Sequence, residues 1–265
     1  MKEWLKRTAA AVAPELTTAI QSARSRARSH RLVREWKLDR LTRSILDHLG
    51  PTVRTGPFQG MTLTPMTRRE HLGPFLLGCY EAELHPWLTA VAGRRFAQVL
   101  DVGAKFGYYA VGLARLMPDT PVVAFDTDWW ARRATREMAA ANRSPNVRAA
   151  GFCSPRWLDR HLTPGSFVLS DCEGYEAELF ARSSTPALDT ATLLVEVHDN
   201  LTAGVGSVLR RRFVRTHDLA VVRTGDRDWA GPELPFLTPA DAAAAVREIR
   251  DPQEWFLFTP RAGAG

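Results

Sequence analysis

Strands of five to seven apolar residues alternate with helix-length segments from Gln98 onward. That alternation predicts an α/β chain built on a mainly parallel sheet with helices on both faces. Two further observations support the class. A glycine-bearing turn follows the first strand, and the strand ends are acidic: Asp101, Asp126, Asp171 with Glu173, and Glu196 with His198 and Asp199. At 265 residues, 45% hydrophobic and 24% charged, the chain is long enough for one large domain and rich enough in apolar residues to bury a core.

Before the sheet, residues 16–49 read as helix, with Leu32, Trp36, Leu41, Ile45 and Leu49 on one apolar stripe and Gly50-Pro51 closing it. The first 50 residues hold 11 Lys/Arg against 5 Asp/Glu, whereas the rest hold 24 of each, so the net charge of +6 belongs to this basic extension. Arg24, Arg26, Arg28 and Arg31 read as a solvated face, with contact to an anionic partner or a membrane surface as the lesser reading. A neutral body argues against a broad phosphate-binding surface and hence against nucleic acid as the main partner. The stretch from Ala9 to Ala13 is too short for a secretory signal, and no apolar run reaches bilayer length. Cys79, Cys153 and Cys172 are too few and scattered for a disulfide framework, which points to a reducing, cytoplasmic setting. These features divide the chain into a basic helical extension, 1–50, and a main domain, 51–265, whose residues 51–95 form a lead-in or cap.

Within that lead-in, residues 51–75 are turn-rich with short strands expected near Met61–Leu63, and helical spacing runs from Phe75 to Val91. The sheet follows. Its expected strands are 98–102, 121–125, 147–150 (weak), 166–170, 191–197, 219–223 and 255–259. Its expected helices are 108–117, 129–142, 175–182, 205–215 and 239–249.

Ligands of such sheets bind at the carboxyl ends of the strands. The turn Asp101-Val-Gly103-Ala104-Lys105-Phe-Gly107 has GxxxG spacing, neither the GxGxxG of a dinucleotide site nor a Walker loop. A carboxylate at Asp101 repels phosphate and suits a cationic or amine-bearing ligand. Asp126 closes the second strand 25 residues later, where an acid can accept both hydroxyls of an adenosine ribose. Together they indicate a nucleoside cofactor without a diphosphate, for which S-adenosylmethionine is the leading candidate. The competing reading has Asp126 and Asp128 merely favouring the start of the next helix.

The segments Val99-Leu-Asp-Val-Gly-Ala-Lys-Phe-Gly-Tyr-Tyr-Ala, Val122-Val-Ala-Phe-Asp and Ser170-Asp-Cys-Glu-Gly-Tyr-Glu resemble the FkbM-type family of S-adenosylmethionine-dependent methyltransferases. Gly56-Pro-Phe-Gln-Gly-Met61 and Leu77-Gly-Cys-Tyr-Glu-Ala-Glu-Leu84 are similar to its lead-in segments, so the likeness spans roughly residues 52–200. Lys105 stands where that family usually has Asn, and Asp126-Thr127 replaces Glu-Pro. The resemblance implies a Rossmann-like, seven-stranded class I methyltransferase sheet with its last strand antiparallel. It also implies methyl transfer to oxygen on a small-molecule acceptor such as a sugar or natural product, with S-adenosylhomocysteine as product.

The expected cofactor-binding residues are Asp101, Gly103, Ala104, Lys105, Gly107, Asp126, Thr127 and Asp171. The expected catalytic residues are Asp171, Glu173 and His198. Asp171 ends the fourth strand as the first candidate base for an acceptor hydroxyl. Glu196 and His198 share one face of the fifth strand by the period of two. They suit a divalent ion in donor chemistry, but no spacing compels one, so no metal ligand is assigned. Trp129 and Trp130 are expected to pack beside the adenine or in the core, and His85 to line the acceptor pocket at a minority weight. Two other functions stay open: a nucleic-acid methyltransferase or binder using the basic arm, and a scaffold that binds cofactor without catalysis.

Overall fold

The computed structural model describes residues 38–69, 71–225, 233–249 and 252–262. The basic arm, and the part of the expected first helix before residue 38, lie outside them. What is described of that helix is α1, Leu38–Leu49, whose Leu38, Leu41 and Ile45 are buried at a spacing of three to four. Each such side chain contributes about 1.5–3 kcal/mol of transfer free energy, so α1 is tied to the core that also covers one face of the sheet.

The lead-in differs from its expectation. The stretch near Met61–Leu63 forms only an isolated antiparallel bridge between Thr52 and Thr62. The continuous helix expected over Phe75–Val91 is broken into α2, Gly73–Leu77, a short 3₁₀ turn Ala82–Leu84, and α3, His85–Ala92. Gly78 is the reason. It caps α2 in the left-handed conformation, φ 79°, and a Cβ there would stand 2.1 Å from the Thr55 carbonyl oxygen. The chain turns at this point because only glycine fits both the angle and the space.

The sheet comprises β1 Val99–Val102, β2 Val122–Phe125, β3 Val147–Ala150, β4 Phe167–Ser170, β5 Thr192–Val197, β6 His217–Arg223 and β7 Glu254–Pro260. Their order is β3-β2-β1-β4-β5-β7-β6; β1 to β5 run parallel, and β7 is antiparallel to both β5 and β6. The intervening helices are α4 Tyr108–Leu116, α5 Trp129–Ala141, α6 Pro155–His161, α7 Glu176–Arg182, α8 Val205–Phe213 and α9 Pro239–Ala245. Helix α6 has no counterpart in the sequence expectation. Helix α9 ends four residues early, where Arg247 turns its N–H back to the Ala244 carbonyl.

The central strands are buried at every position, as a sheet covered on both faces requires. Their side chains divide into two cores by the period of two. Val99, Leu169, Leu194 and Trp255 pack with α1, α4 and α5; Leu100, Val168, Leu193 and Phe256 pack with α6, α7 and α8. Residues in step with the first set are Asp101, Asp171, Glu196 and His198. The acids therefore share one face of the sheet, the face covered by the lead-in segment. Strand β3 is only partly buried because it is the sheet's outer edge.

Candidate functional site

Strand order reverses between β1 and β4, the kind of switch point at which doubly wound sheets bind ligands. The turn leaving β1 is fastened to β2, with the N–H groups of Gly103 and Ala104 both reaching the Phe125 carbonyl at 2.9 Å. Gly103 has φ 92°, and a Cβ there would fall 1.7 Å from the Asp171 carbonyl oxygen. Gly107 has φ 85° and abuts Thr135 of α5, 2.9 Å from where its Cβ would be. Both glycines thus let the turn nest against β4 and α5, and the space they vacate is filled by the chain itself.

Asp126 is held in that nest. Its Oδ2 accepts the Lys105 N–H at 2.9 Å and its Oδ1 accepts the Asp128 N–H at 2.8 Å. Lys105 takes φ 50° to make the first of these. Each carboxylate oxygen has a second lone pair left for a further donor. Burial raises the Asp126 carboxyl pKa despite those two bonds. Thr127 is exposed, and its carbonyl accepts the Arg132 guanidinium at 2.8 Å. Asp128 serves as N-cap of α5, accepting the Trp130 N–H at 2.9 Å. The helix-start reading therefore holds for Asp128, while Asp126 keeps lone pairs open beside the turn.

Beneath the turn, Asp101 is 1% exposed and its Oδ2 has no hydrogen-bond partner. Burial pushes its carboxyl up to about 7, against the pull of the Ala110 N–H. An orphaned buried carboxylate oxygen attracts a donor or cation and disfavours a phosphate.

On the other side of the switch point, four carboxylates surround one imidazole. His198 Nδ1 lies 2.8 Å from Glu176 Oε1. Its Nε2 lies 3.3 Å from Glu196 Oε2, 3.5 Å from Asp171 Oδ1 and 3.8 Å from Glu173 Oε2. His198, Glu176 and Glu196 are buried, Asp171 is half-buried and Glu173 is exposed. Burial pulls the His198 pKa down, but the bonds to Glu176 and Glu196 and the charge of Asp171 outweigh it and lift it to about 11. Asp171 is raised well above the ordinary carboxylate range by burial and then by the Glu196 charge.

The loop carrying these acids is bent. Glu173 at φ 57° and Gly174 at φ 99° are consecutive left-handed residues, and of the four non-glycine residues with positive φ among the described residues, two (Lys105 and Glu173) follow the strand ends at this switch point. Such positions cluster where a backbone is held for a purpose. Glu176 does the holding here: it accepts the Cys172 and Gly174 N–H groups, both at 2.9 Å, as well as meeting His198.

The structure therefore brings Asp171, Glu173 and His198 together, and puts Asp101, Gly103, Ala104, Lys105, Gly107 and Asp126 at the ends of the neighbouring strands β1 and β2. Glu176 was missed as a site residue, although it is the final acid of the Asp-x-Glu-Gly-x-Glu stretch at the start of α7. His85 makes a contact of 3.2 Å with the Tyr80 carbonyl, and Asp199 accepts the Gly206 N–H at 3.1 Å beside the start of α8. Trp129 is exposed and Trp130 packs at the edge of the first core.

With β7 antiparallel in the order β3-β2-β1-β4-β5-β7-β6, the sheet is the Rossmann-like one of class I methyltransferases. No family model and no curated protein matches the chain. Among solved structures it is similar to precorrin-6y C5,15-methyltransferase from Geobacter metallireducens GS-15, at 16% identity over 67% of this chain and 87% of that one, TM-score 0.45. It is also similar to the O-methyltransferase TomG from Streptomyces achromogenes, at 15% identity over 84% and 89%, TM-score 0.43. A third likeness is to an rRNA methylase from Streptococcus thermophilus, at 13% identity over 67% and 96%, TM-score 0.46. Identities and scores this low leave the activity to the chain's own site. Among the described residues no helix is long and apolar enough to cross a membrane.

Proposed function

We propose that the chain is an S-adenosylmethionine-dependent methyltransferase of the FkbM type that methylates a hydroxyl group of a small molecule. One observation carries the reading. A backbone-anchored carboxylate at the end of β2 and an orphaned buried carboxylate at the end of β1 flank a glycine turn that lacks a phosphate loop. The first suits ribose hydroxyls and the second a positively charged end, which together fit S-adenosylmethionine better than a dinucleotide.

When bound, S-adenosylmethionine supplies an electrophilic methyl group. Asp126 offers its remaining lone pairs to the ribose, and Asp101 accepts from the cationic end of the ligand. Asp171, on the neighbouring strand, takes the proton of the acceptor hydroxyl; burial and the Glu196 charge raise its carboxyl above the ordinary range, which makes the carboxylate a stronger base. Glu176 fixes His198 beside it, and Glu173 stands at the mouth. Much of the acceleration rests on positioning, since an in-line displacement needs the two reactants aligned.

Calorimetry tests the reading. S-adenosylmethionine and S-adenosylhomocysteine are expected to bind, and NADH and ATP are not. Tight NADH binding with no response to S-adenosylhomocysteine would remove it.

A further inference from the structure

We propose that Asp171, Glu196 and His198 form a site for one divalent cation of the manganese type. One ligand atom from each lies within 4.8 Å of the others. Two of the three ligand-to-ligand distances are those of neighbouring positions around one ion. His198 Nε2 stands 3.3 Å from Glu196 Oε2 and 3.5 Å from Asp171 Oδ1. The first is a long hydrogen bond and the second is longer still, against a usual range of about 2.7–3.2 Å. Two ligands each about 2.0–2.2 Å from a shared ion are about 3.0 Å apart at a right angle and about 3.4 Å apart at the tetrahedral angle.

Two further observations point to a ligand. Asp171 Oδ1, the oxygen that faces His198 Nε2, is buried and accepts no hydrogen bond. The His198 imidazole 3.5 Å away is what meets it here, and a metal ion would take the place of that nitrogen's proton, as ligation by histidine requires. The far nitrogen of the imidazole is also supported as metal-binding histidines are, by a carboxylate on Nδ1 that fixes ring orientation. That carboxylate, Glu176, is fully buried and is itself fixed by two backbone N–H groups.

The donor set decides the ion. Two carboxylates and one imidazole are too nitrogenous for calcium, which takes six to eight oxygens, and suit manganese or a neighbouring first-row metal. Three protein ligands leave positions open, as in catalytic rather than structural sites. The inference rests on the methyl-transfer reading only for what the ion does: there it would hold the acceptor hydroxyl and acidify it, with one oxygen of Asp171 as ligand and the other taking the proton.

Manganese binding by the full chain, read from the loss of the free-ion signal in electron paramagnetic resonance, tests this without any cofactor or acceptor. One ion per chain is expected. Asp171→Asn and His198→Ala should each weaken binding at least about tenfold, and Glu176→Gln about 10–100-fold through loss of ring orientation. Asp218→Ala, an exposed carboxylate on β6 at the opposite end of the sheet, should leave it unchanged. Should the buried His198→Ala variant fail to fold, the half-buried Asp171→Asn carries the test, with circular dichroism checking its fold. No bound manganese at about 1 mM, or equal affinity in wild type and folded Asp171→Asn, overturns the proposal. Calorimetry with S-adenosylhomocysteine separates the two claims. Manganese binding without it leaves the metal site standing and removes the methyl-transfer reading, and the reverse result removes the metal site alone.

Discussion

The carboxylate at the end of β2 and the carboxylates at the ends of β4 and β5 are built differently. Asp126 has both oxygens tied to backbone N–H groups, so its position is set before any ligand arrives. Glu196 and Asp171 face a single imidazole, at 3.3 and 3.5 Å, with Asp171 Oδ1 left without a hydrogen bond. A carboxylate satisfied by backbone can recognise neutral hydroxyls without changing state. Crowded acids around one histidine respond to a proton or a cation, because each charge raises the cost of the next. On the proposed function, the two sides of the switch point would divide the work into recognition and chemistry.

The largest expected effect falls on the chemical side. Asp171→Asn should lower turnover by about 10²–10⁴-fold, the range for loss of a general base, with little change in S-adenosylhomocysteine affinity. Steady-state rates with a cognate acceptor check this. Near-normal turnover in Asp171→Asn, Glu173→Gln and His198→Ala alike would leave positioning as the whole mechanism and dissolve the contrast.

Stability should feel the seam between the two sides next. A Cβ at Gly103 would lie 1.7 Å from the Asp171 carbonyl, on backbone that cannot swing away. Gly103→Ala should cost about 1–3 kcal/mol for the left-handed backbone alone, with the clash added. Thermal unfolding would show this as a lowered Tm; an unchanged Tm would mean that the turn is looser than described.

On the recognition side, Asp126→Ala should weaken S-adenosylhomocysteine binding by about 1.5–3 kcal/mol, the scale of hydrogen bonds to a charged group. The smallest effect concerns Asp101. Burial lifts its carboxyl from 3.8 to about 7, so between those values the folded state keeps a proton that the unfolded state has released. Its stabilising contribution is full below the lower value and is lost as pH rises through the upper one. Between about pH 5 and about pH 8 the wild-type Tm should fall by a few degrees more than that of Asp101→Asn. Parallel pH profiles would show that Asp101 ionises as freely as in the unfolded chain.

Sheet strands were legible because each is a short apolar run, and most expected boundaries lie within two residues of those observed. Helix α6 was equally legible in principle: Ser154 followed by Pro155 is an N-cap with proline at the first helical position, and the Ser154 hydroxyl does accept the Trp157 N–H. The break between α2 and α3 was not, since apolar spacing continues through Gly78 and only the tertiary approach of Thr55 requires the turn. Strand-end acids could be found from pattern, and their sharing of one face from the period of two. The role of Glu176 could not. It depends on a loop bent at Glu173 and Gly174 that carries backbone N–H groups and His198 to the same carboxylate.

Titration of S-adenosylhomocysteine into wild type, Asp126→Ala and Asp171→Asn, followed by calorimetry, tests the division of work most directly. The predicted result is binding to wild type, affinity lowered by about tenfold or more in Asp126→Ala, and near-wild-type affinity in Asp171→Asn. Affinity lost in Asp171→Asn but kept in Asp126→Ala would contradict it.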